Sequence, residues 1–351
     1  MKKLMVVLLA LVFAFAMAAC NSSKPESANS TGSDGGSGGG GEKFVLKLAG
    51  QSPDDHPSTQ ALYKFAEQIK EKTNGQVEIK VYPANQLGDY TTVYKEVLQG
   101  TIEMALITTP SEIDKRLDLL MMPYMVTGYT DNLEEKYKKG SYIFDTMNRI
   151  NQEHGARLLA IHANGFGGLG TTKEIQNLTN IGADKGILIR TPPMPVFNEP
   201  MKDLGFRTVT IPYADLYTAL QTGAADGWSG GEASLNYHGF RDVIKYFYTT
   251  NDFFNADALY INNALWERLG AENQRIIEEA AEELQLNSFA TAEQYDNEYL
   301  KKLEEAGIKV VRLTEEEIRT LAEHVRKTTW PKLKADMTDE IIDGMIEAMG
   351  N

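Results

Sequence analysis

Arg190 ends the apolar run Ile187-Leu188-Ile189, and Pro192, Pro193 and Pro195 follow it directly. A guanidinium stays charged at physiological pH and presents a planar fork of donors that fits a carboxylate bidentately. At the mouth of a buried strand it needs either a protein acid or an anionic ligand, because an unpaired buried charge is costly. Asp226 and Glu232 are the acids that a structural ion pair would use. The prolines stiffen the chain after the cation, and a stiff site loses less entropy on binding. Signs of catalysis are missing. The sequence contains no G-x-S-x-G and no H-E-x-x-H. Its five histidines (56, 154, 162, 238 and 324) are scattered, and its 49 acidic residues make any choice of a catalytic pair arbitrary. The run Gly165-Phe166-Gly167-Gly168-Leu169-Gly170 faintly resembles a dinucleotide loop but no helical pattern follows it. Binding without turnover is therefore expected, with no catalytic residue, no metal and no cofactor.

The elements that must position Arg190 read as α/β. Phe44–Ala49 alternates like a strand, Ala61, Leu62, Phe65 and Ile69 recur at helical spacing, and Val77, Ile79 and Val81 form a second strand. A helix through Val93 and Val97 leads to the short strand at 104–109. Such a β-α-β-α-β run predicts a mostly parallel sheet with ligands near the carboxyl ends of its strands. The style repeats in strands at 157–163, 187–189, 207–211, 225–228 and 258–261, with helices over 195–204 and 213–221. Residues 271–304 carry a helical apolar stripe far longer than the usual 10–14 residues, long enough to bridge two domains, and the 351-residue length allows about two. His56, beside Asp54 and Asp55 ahead of a helix, reads as a surface turn residue. A net charge of −14 argues against a nucleic-acid partner, which requires a basic face.

The N-terminus has a separate logic. Lys2 and Lys3 precede the apolar stretch 4–16, too short for a comfortable membrane span, and Met17-Ala18-Ala19-Cys20 follows. Small residues before the chain's single cysteine resemble a bacterial lipobox. We read 1–19 as a lipoprotein signal peptide and Cys20 as the lipidated first residue of the mature chain. Residues 20–42 then form a flexible Ser/Gly tether of roughly 25 Å mean reach. This implies export and anchoring to the outer face of the cytoplasmic membrane. A secreted, membrane-anchored hydrolase of the same architecture is the competing functional class.

Four segments carry a family resemblance: TNGQVEIKVYPANQLGDY (73–90), LQGTIEMAL (98–106), ILIRTPP (187–193) and IPYADLYTALQTGAADGW (211–228). With them, 44–335 resembles the extracytoplasmic solute-binding components of tripartite ATP-independent periplasmic (TRAP) transporters, DctP type. The resemblance implies a two-lobed periplasmic-binding-protein-like fold with a hinge and a long helix spanning both lobes. It divides as 43–164 plus 251–285 for lobe I and 165–250 plus 286–351 for lobe II. It also implies a small organic anion as ligand and TRAP membrane permease subunits as partners. Arg190 falls on the arginine that clamps the ligand carboxylate, Tyr213 on the aromatic that packs over it, and Thr108, Thr109 and Gln51 at first-lobe strand ends that offer side chains.

The chain also departs from the pattern. Asn164-Gly165-Phe166-Gly167-Gly168 has glycine where many members carry a second arginine, and Trp228-Ser229-Gly230-Gly231-Glu232 replaces a common Gln-Glu-Asn-Pro. The expected site is thus Arg190, Pro192, Tyr213, Trp228, Gly230, Glu232, Gln51, Thr108, Thr109, Asn164, Phe166 and Gly167. Glycines there would let backbone N–H groups approach the ligand, and Trp228 would supply an apolar wall or an N–H donor. The missing cation points to a ligand with one main anionic group and an apolar, aromatic or compact remainder.

Overall fold

A computed structural model describes residues 42–350; the expected signal peptide, Cys20 and nearly all of the expected tether lie outside the described residues. The expected β-α-β-α-β run forms as β1 (Phe44–Gly50), α1 (Pro57–Lys72), β2 (Val77–Tyr82), α2 (Tyr90–Gln99) and β3 (Met104–Ile107). Each helix has a readable start. His56 caps α1 by accepting from the Ser58 N–H ahead of Pro57, and Asp89 caps α2 by accepting from Thr91 N–H. After a 3-10 turn at Lys115–Met121 come α3 (Leu133–Tyr137), α4 (Tyr142–Glu153) and β4 (Ala156–Phe166), then β5 (Gly168–Thr171). The glycine cluster is therefore strand apart from Gly167, where β4 passes into β5, with no phosphate-type loop.

The chain continues with β6 (Leu188–Thr191), α5 (Pro195–Asp203), β7 (Arg207–Thr210), α6 (Leu216–Thr222), β8 (Gly227–Gly231), α7 (Ala233–Phe240), β9 (Tyr246–Thr249) and β10 (Phe254–Asn262). The helix expected over 213–221 splits into a 3-10 turn at Tyr213–Asp215 and α6. Then follow α8 (Asn263–Arg268), α9 (Ala271–Glu305), β11 (Lys309–Arg312), α10 (Glu315–Thr328), α11 (Trp330–Met337) and α12 (Asp339–Ala348). No helix among the described residues is long and apolar enough to cross a membrane.

Two sheets result. The first has the order β2-β1-β3-β10-β4, the second β11-β9-β5-β8-β6-β7. In the first, β2, β1 and β3 are parallel, as the sequence pattern predicts, but β10 inserts antiparallel between β3 and β4. β10 runs the other way because it returns from the second sheet. The chain crosses between sheets at Phe166–Gly168 and again at Thr250–Phe253, and the crossings pair through Gly167 N–H donating to Phe253 O at 2.9 Å.

The 35-residue α9 rises about 1.5 Å per residue and so spans roughly 50 Å. Its N-terminal half buries Ile276, Ile277, Ala280 and Leu284 with Leu48, Phe65 and Ile69 of the first lobe. Its C-terminal half buries Tyr299 and Leu303 with Leu216, Trp228 and Phe247 of the second. Between them it lies along β4, an edge strand whose outward N–H groups need partners. Gln285 accepts from Ile161 N–H at 2.8 Å, Ser288 from Ala163 N–H at 2.9 Å and Asp296 from Phe166 N–H at 2.9 Å. The tail then makes its own bridge: α10 packs on α5, whereas α11 and α12 return to the 115–121 turn and α4.

Candidate functional site

The carboxyl ends of parallel strands from both sheets face one another. Gln51 directly follows β1 and Thr108 directly follows β3; Arg190 lies in β6, Pro192 just past it, and Tyr213 in the turn after β7. Trp228 and Gly230 lie in β8. These seven residues line one cavity with Tyr90, Met194, Phe197 and Leu235. Register explains the central pair: β6 and β8 run parallel with Arg190 opposite Trp228, so their side chains emerge on the same face. The cavity is about 30 Å³, room for roughly two waters. An organic molecule enters only if the lobes part.

Arg190 is 2% exposed. Its Nε donates to the Ile211 carbonyl at 2.7 Å, whereas Nη2 is buried and has no partner. Burial pushes its pKa down to about 10, against the opposing influence of Tyr90, Tyr213 and Asp89. The guanidinium is therefore still charged at pH 7, and among the described residues it forms no salt bridge. The two acids that a structural pair would use are committed elsewhere. Asp226 meets Lys173 at 2.6 Å and accepts from Leu188 N–H. Glu232 accepts from Ser234 Oγ and Asn255 Nδ2, shares a 3.2 Å contact with His56 Nε2, and caps α7 through Leu235 N–H. Burial alone would raise the pKa of Glu232, but the His56 bond and the other donors hold it below the ordinary glutamate range. Two phenols flank the cation, and burial pushes Tyr90 up to about 12 and Tyr213 higher still, so both stay protonated donors.

Trp228 is a wall rather than a donor. Its Nε1–H is taken by Asn236 Oδ1 at 3.0 Å, and its ring packs on Phe240 with centroids 4.7 Å apart. The neighbouring glycines exist to admit it. A Cβ on Gly231 would come within 2.3 Å of the indole Cη2, and one on Gly170 within 2.8 Å of Nε1. Gly230 has φ +139, a backbone conformation that only glycine adopts freely.

Five expected residues lie away from this lining. Thr109 shares a 2.6 Å hydrogen bond with the Tyr260 hydroxyl. Asn164 donates to Asp257 at 2.8 Å and contacts His162. Phe166 packs edge-to-face on Tyr129 and Phe254 in the core. A Cβ on Gly167 would meet Phe253 at 2.2 Å, so this glycine serves packing at the crossing rather than ligand approach. Glu232 is the buried cap just described. The reading of His56 also needs correcting: it is 2% exposed and bonds Ser58, Ser234 and Glu232. The sequence pattern missed Tyr90, Met194, Phe197 and Leu235. For Met194 the signal was present, two residues past Pro192 in the same stiff loop; the other three look like ordinary core residues. Three larger hollows, about 510, 570 and 340 Å³, border α9, but none includes Arg190. Among the described residues no group of His, Cys, Asp and Glu is placed to hold a metal.

Comparison with known proteins fits this geometry. Residues 48–335 match the DctP family model, described as bacterial extracellular solute-binding protein, family 7. A TRAP periplasmic solute-binding protein of Desulfovibrio salexigens with bound orotic acid superposes with a TM-score of 0.79 at 23% identity, covering 88% of this chain and 99% of that one. One of Haemophilus influenzae with bound L-gulonate gives 0.77 at 24% identity, covering 87% and 100%. In sequence, the 2,3-diketo-L-gulonate-binding periplasmic protein YiaO of Escherichia coli is 23% identical over 72% of this chain and 76% of its own length. The structural likenesses establish the two-lobed α/β fold.

Proposed function

The chain belongs to the DctP family, the bacterial extracellular solute-binding proteins of family 7, and from that premise we propose that it receives a small organic acid whose carboxylate is held by Arg190. Family members are receptors, not enzymes, and the hydrolase alternative falls with that. The ligand enters between parted lobes, the guanidinium fork takes the carboxylate, and the lobes close over it. Closure reshapes the outer surface that TRAP permease subunits read. Lipid on Cys20 keeps the receptor at the membrane. The moving bodies are the two sheets with their helices, divided at Gly167 and at 250–253.

One observation carries this reading: a buried cation with an unpartnered Nη2 lines an interlobe cavity, while Asp226 and Glu232 are paired with Lys173 and His56. Relatives named for carboxylic acids support the ligand class. The test is a calorimetric screen of small organic acids against the wild type and Arg190→Ala. The alanine variant should keep its circular dichroism spectrum and lose binding by at least 100-fold. Lysine at 190 should recover little, because the fork is lost. Undiminished carboxylate binding by the alanine variant would sink the assignment.

A further inference from the structure

We propose that the cleft selects a monocarboxylate with a flat apolar body and rejects dicarboxylates and sugar acids. This rests on the reading of Arg190 as the carboxylate anchor. Three observations on the cavity lining carry it.

The first is charge. Arg190 is the one cation among the lining residues. On the first-lobe side of the cavity Gln51 Nε2 and Thr108 Oγ1 both contact Asp257 Oδ1, at 3.3 and 3.2 Å. A second carboxylate reaching Gln51 and Thr108 would meet a buried acid and no cation, so a dianion is repelled where it would need attraction.

The second is hydrogen-bond capacity. Gln51 Oε1 accepts from Thr108 N–H at 3.0 Å and its Nε2 donates to Thr108 Oγ1 at 2.9 Å. Thr108 Oγ1 in turn donates to Asp257, and the Trp228 N–H belongs to Asn236. These polar groups satisfy one another. A polyol chain would find only the Tyr90 and Tyr213 hydroxyls to replace lost water, and each further hydroxyl left without a partner would cost roughly a tenfold loss of affinity.

The third is shape. Tyr90, Phe197, Tyr213 and Trp228 wall the cavity, with the Tyr213 and Trp228 centroids 6.4 Å apart. Phe197 is braced edge-to-face on Phe253 and Trp228 is slotted over Gly231, so these walls are fixed. Flat aromatic faces favour a flat apolar guest through burial and stacking.

The test measures dissociation constants of the wild type for benzoate, phenylacetate, succinate and D-gluconate. Benzoate or phenylacetate should bind at least 100-fold tighter than the other two, and Arg190→Ala should lose that binding. Phe197→Ala should weaken the aromatic acid about tenfold and leave succinate unchanged; equal losses for both would mean a folding defect, not a selective wall, and would overturn this part. Succinate or gluconate binding tightest, and still depending on Arg190, overturns the ligand class but leaves the receptor reading intact. Binding of none of the four also overturns the class. If, further, no acid in the wider screen binds through Arg190, the receptor reading fails too.

Discussion

Replacing Arg190 with methionine should make the ligand-free protein more stable and useless as a receptor. Methionine keeps most of the side-chain length and removes the charge. Burial lowers the Arg190 pKa from the usual arginine value to about 10, a fall of two to three pH units, or roughly 3 kcal/mol against the charged form at 1.36 kcal/mol per unit. The substitution removes that penalty. It also strips the Ile211 carbonyl of the Nε–H donor at 2.7 Å, and an orphaned buried acceptor costs about 1–3 kcal/mol. The balance is a gain of about 1 kcal/mol, seen as a rise of roughly 2–4 °C in the melting temperature. On the ligand side, truncating one member of a buried, hydrogen-bonded charge pair costs about 2–5 kcal/mol, or roughly 10²–10³-fold in affinity. Differential scanning fluorimetry of the ligand-free protein and calorimetry with a carboxylate that the wild type binds read the two effects separately. A methionine variant that melts several degrees lower and still binds would refute the reasoning, because Arg190 would then be a structural cation.

Stability should fall as pH rises from about 5 to 7.5, above the range in which the lowered carboxylates Asp114, Asp226 and Glu232 act in the opposite sense. Burial raises the pKa of Asp118 and Asp296 to about 7 and of Asp252 and Asp257 to about 6. The native state therefore holds protons that the unfolded chain has released, and this stabilisation is lost on passing through the folded values. His162, pushed by burial to about 4, and His238, also lowered by burial, work in the opposite sense below pH 6.5 but are two groups against four; a melting temperature that climbs from pH 5 to 7.5 contradicts the prediction. Ser288→Ala leaves the Ala163 N–H unpaired in the interior and should cost about 1–3 kcal/mol in urea unfolding. Gly231→Ala drives a Cβ to within 2.3 Å of the Trp228 ring and should cost about 1–3 kcal/mol by overpacking, with altered tryptophan fluorescence as a second readout.

The regular elements were legible because apolar spacing is a local property. The β-α-β-α-β run from Phe44 to Ile107 and the long helix from Ala271 lie where their periodicities predict. Arg190 was legible for a related reason: a cation ending an apolar run has no cheap location, whatever surrounds it. Tyr90, Phe197 and Leu235 were not, because an apolar side chain that lines a cleft and one that fills a core look identical in sequence. The glycines of 165–170 misled for a different reason. Each makes room for something distant in the chain: Asp296 beside Gly165, Phe253 beside Gly167, the Tyr248 carbonyl beside Gly168 and Trp228 beside Gly170. Local pattern carries no information about such partners. His56 was misread in the same way, since the Glu232 that buries it lies 176 residues further on.

The buried face of α9 shows what a helix spanning two lobes has to do. Its buried residues Ala281, Gln285, Ser288, Ala292, Asp296, Tyr299 and Leu303 follow steps of three and four. They average close to the 11-residue, three-turn repeat that keeps a stripe nearly straight along a helix. The stripe holds its direction while its chemistry changes. It is apolar over the first core and apolar again over the second, but in between it offers Gln285, Ser288 and Asp296. An uninterrupted apolar stripe would have packed as well against a helix or an interior sheet face. It would fail here, because the middle of α9 lies along β4, an edge strand with outward N–H groups at Ile161, Ala163 and Phe166. Burying three such donors without acceptors would cost about 1–3 kcal/mol each, a large share of the 5–15 kcal/mol that holds a typical domain together. The polar interruption is therefore required by the strand beneath it. That strand also carries the chain from the first sheet to the second, so the same three side chains fasten α9 to the segment joining the two lobes.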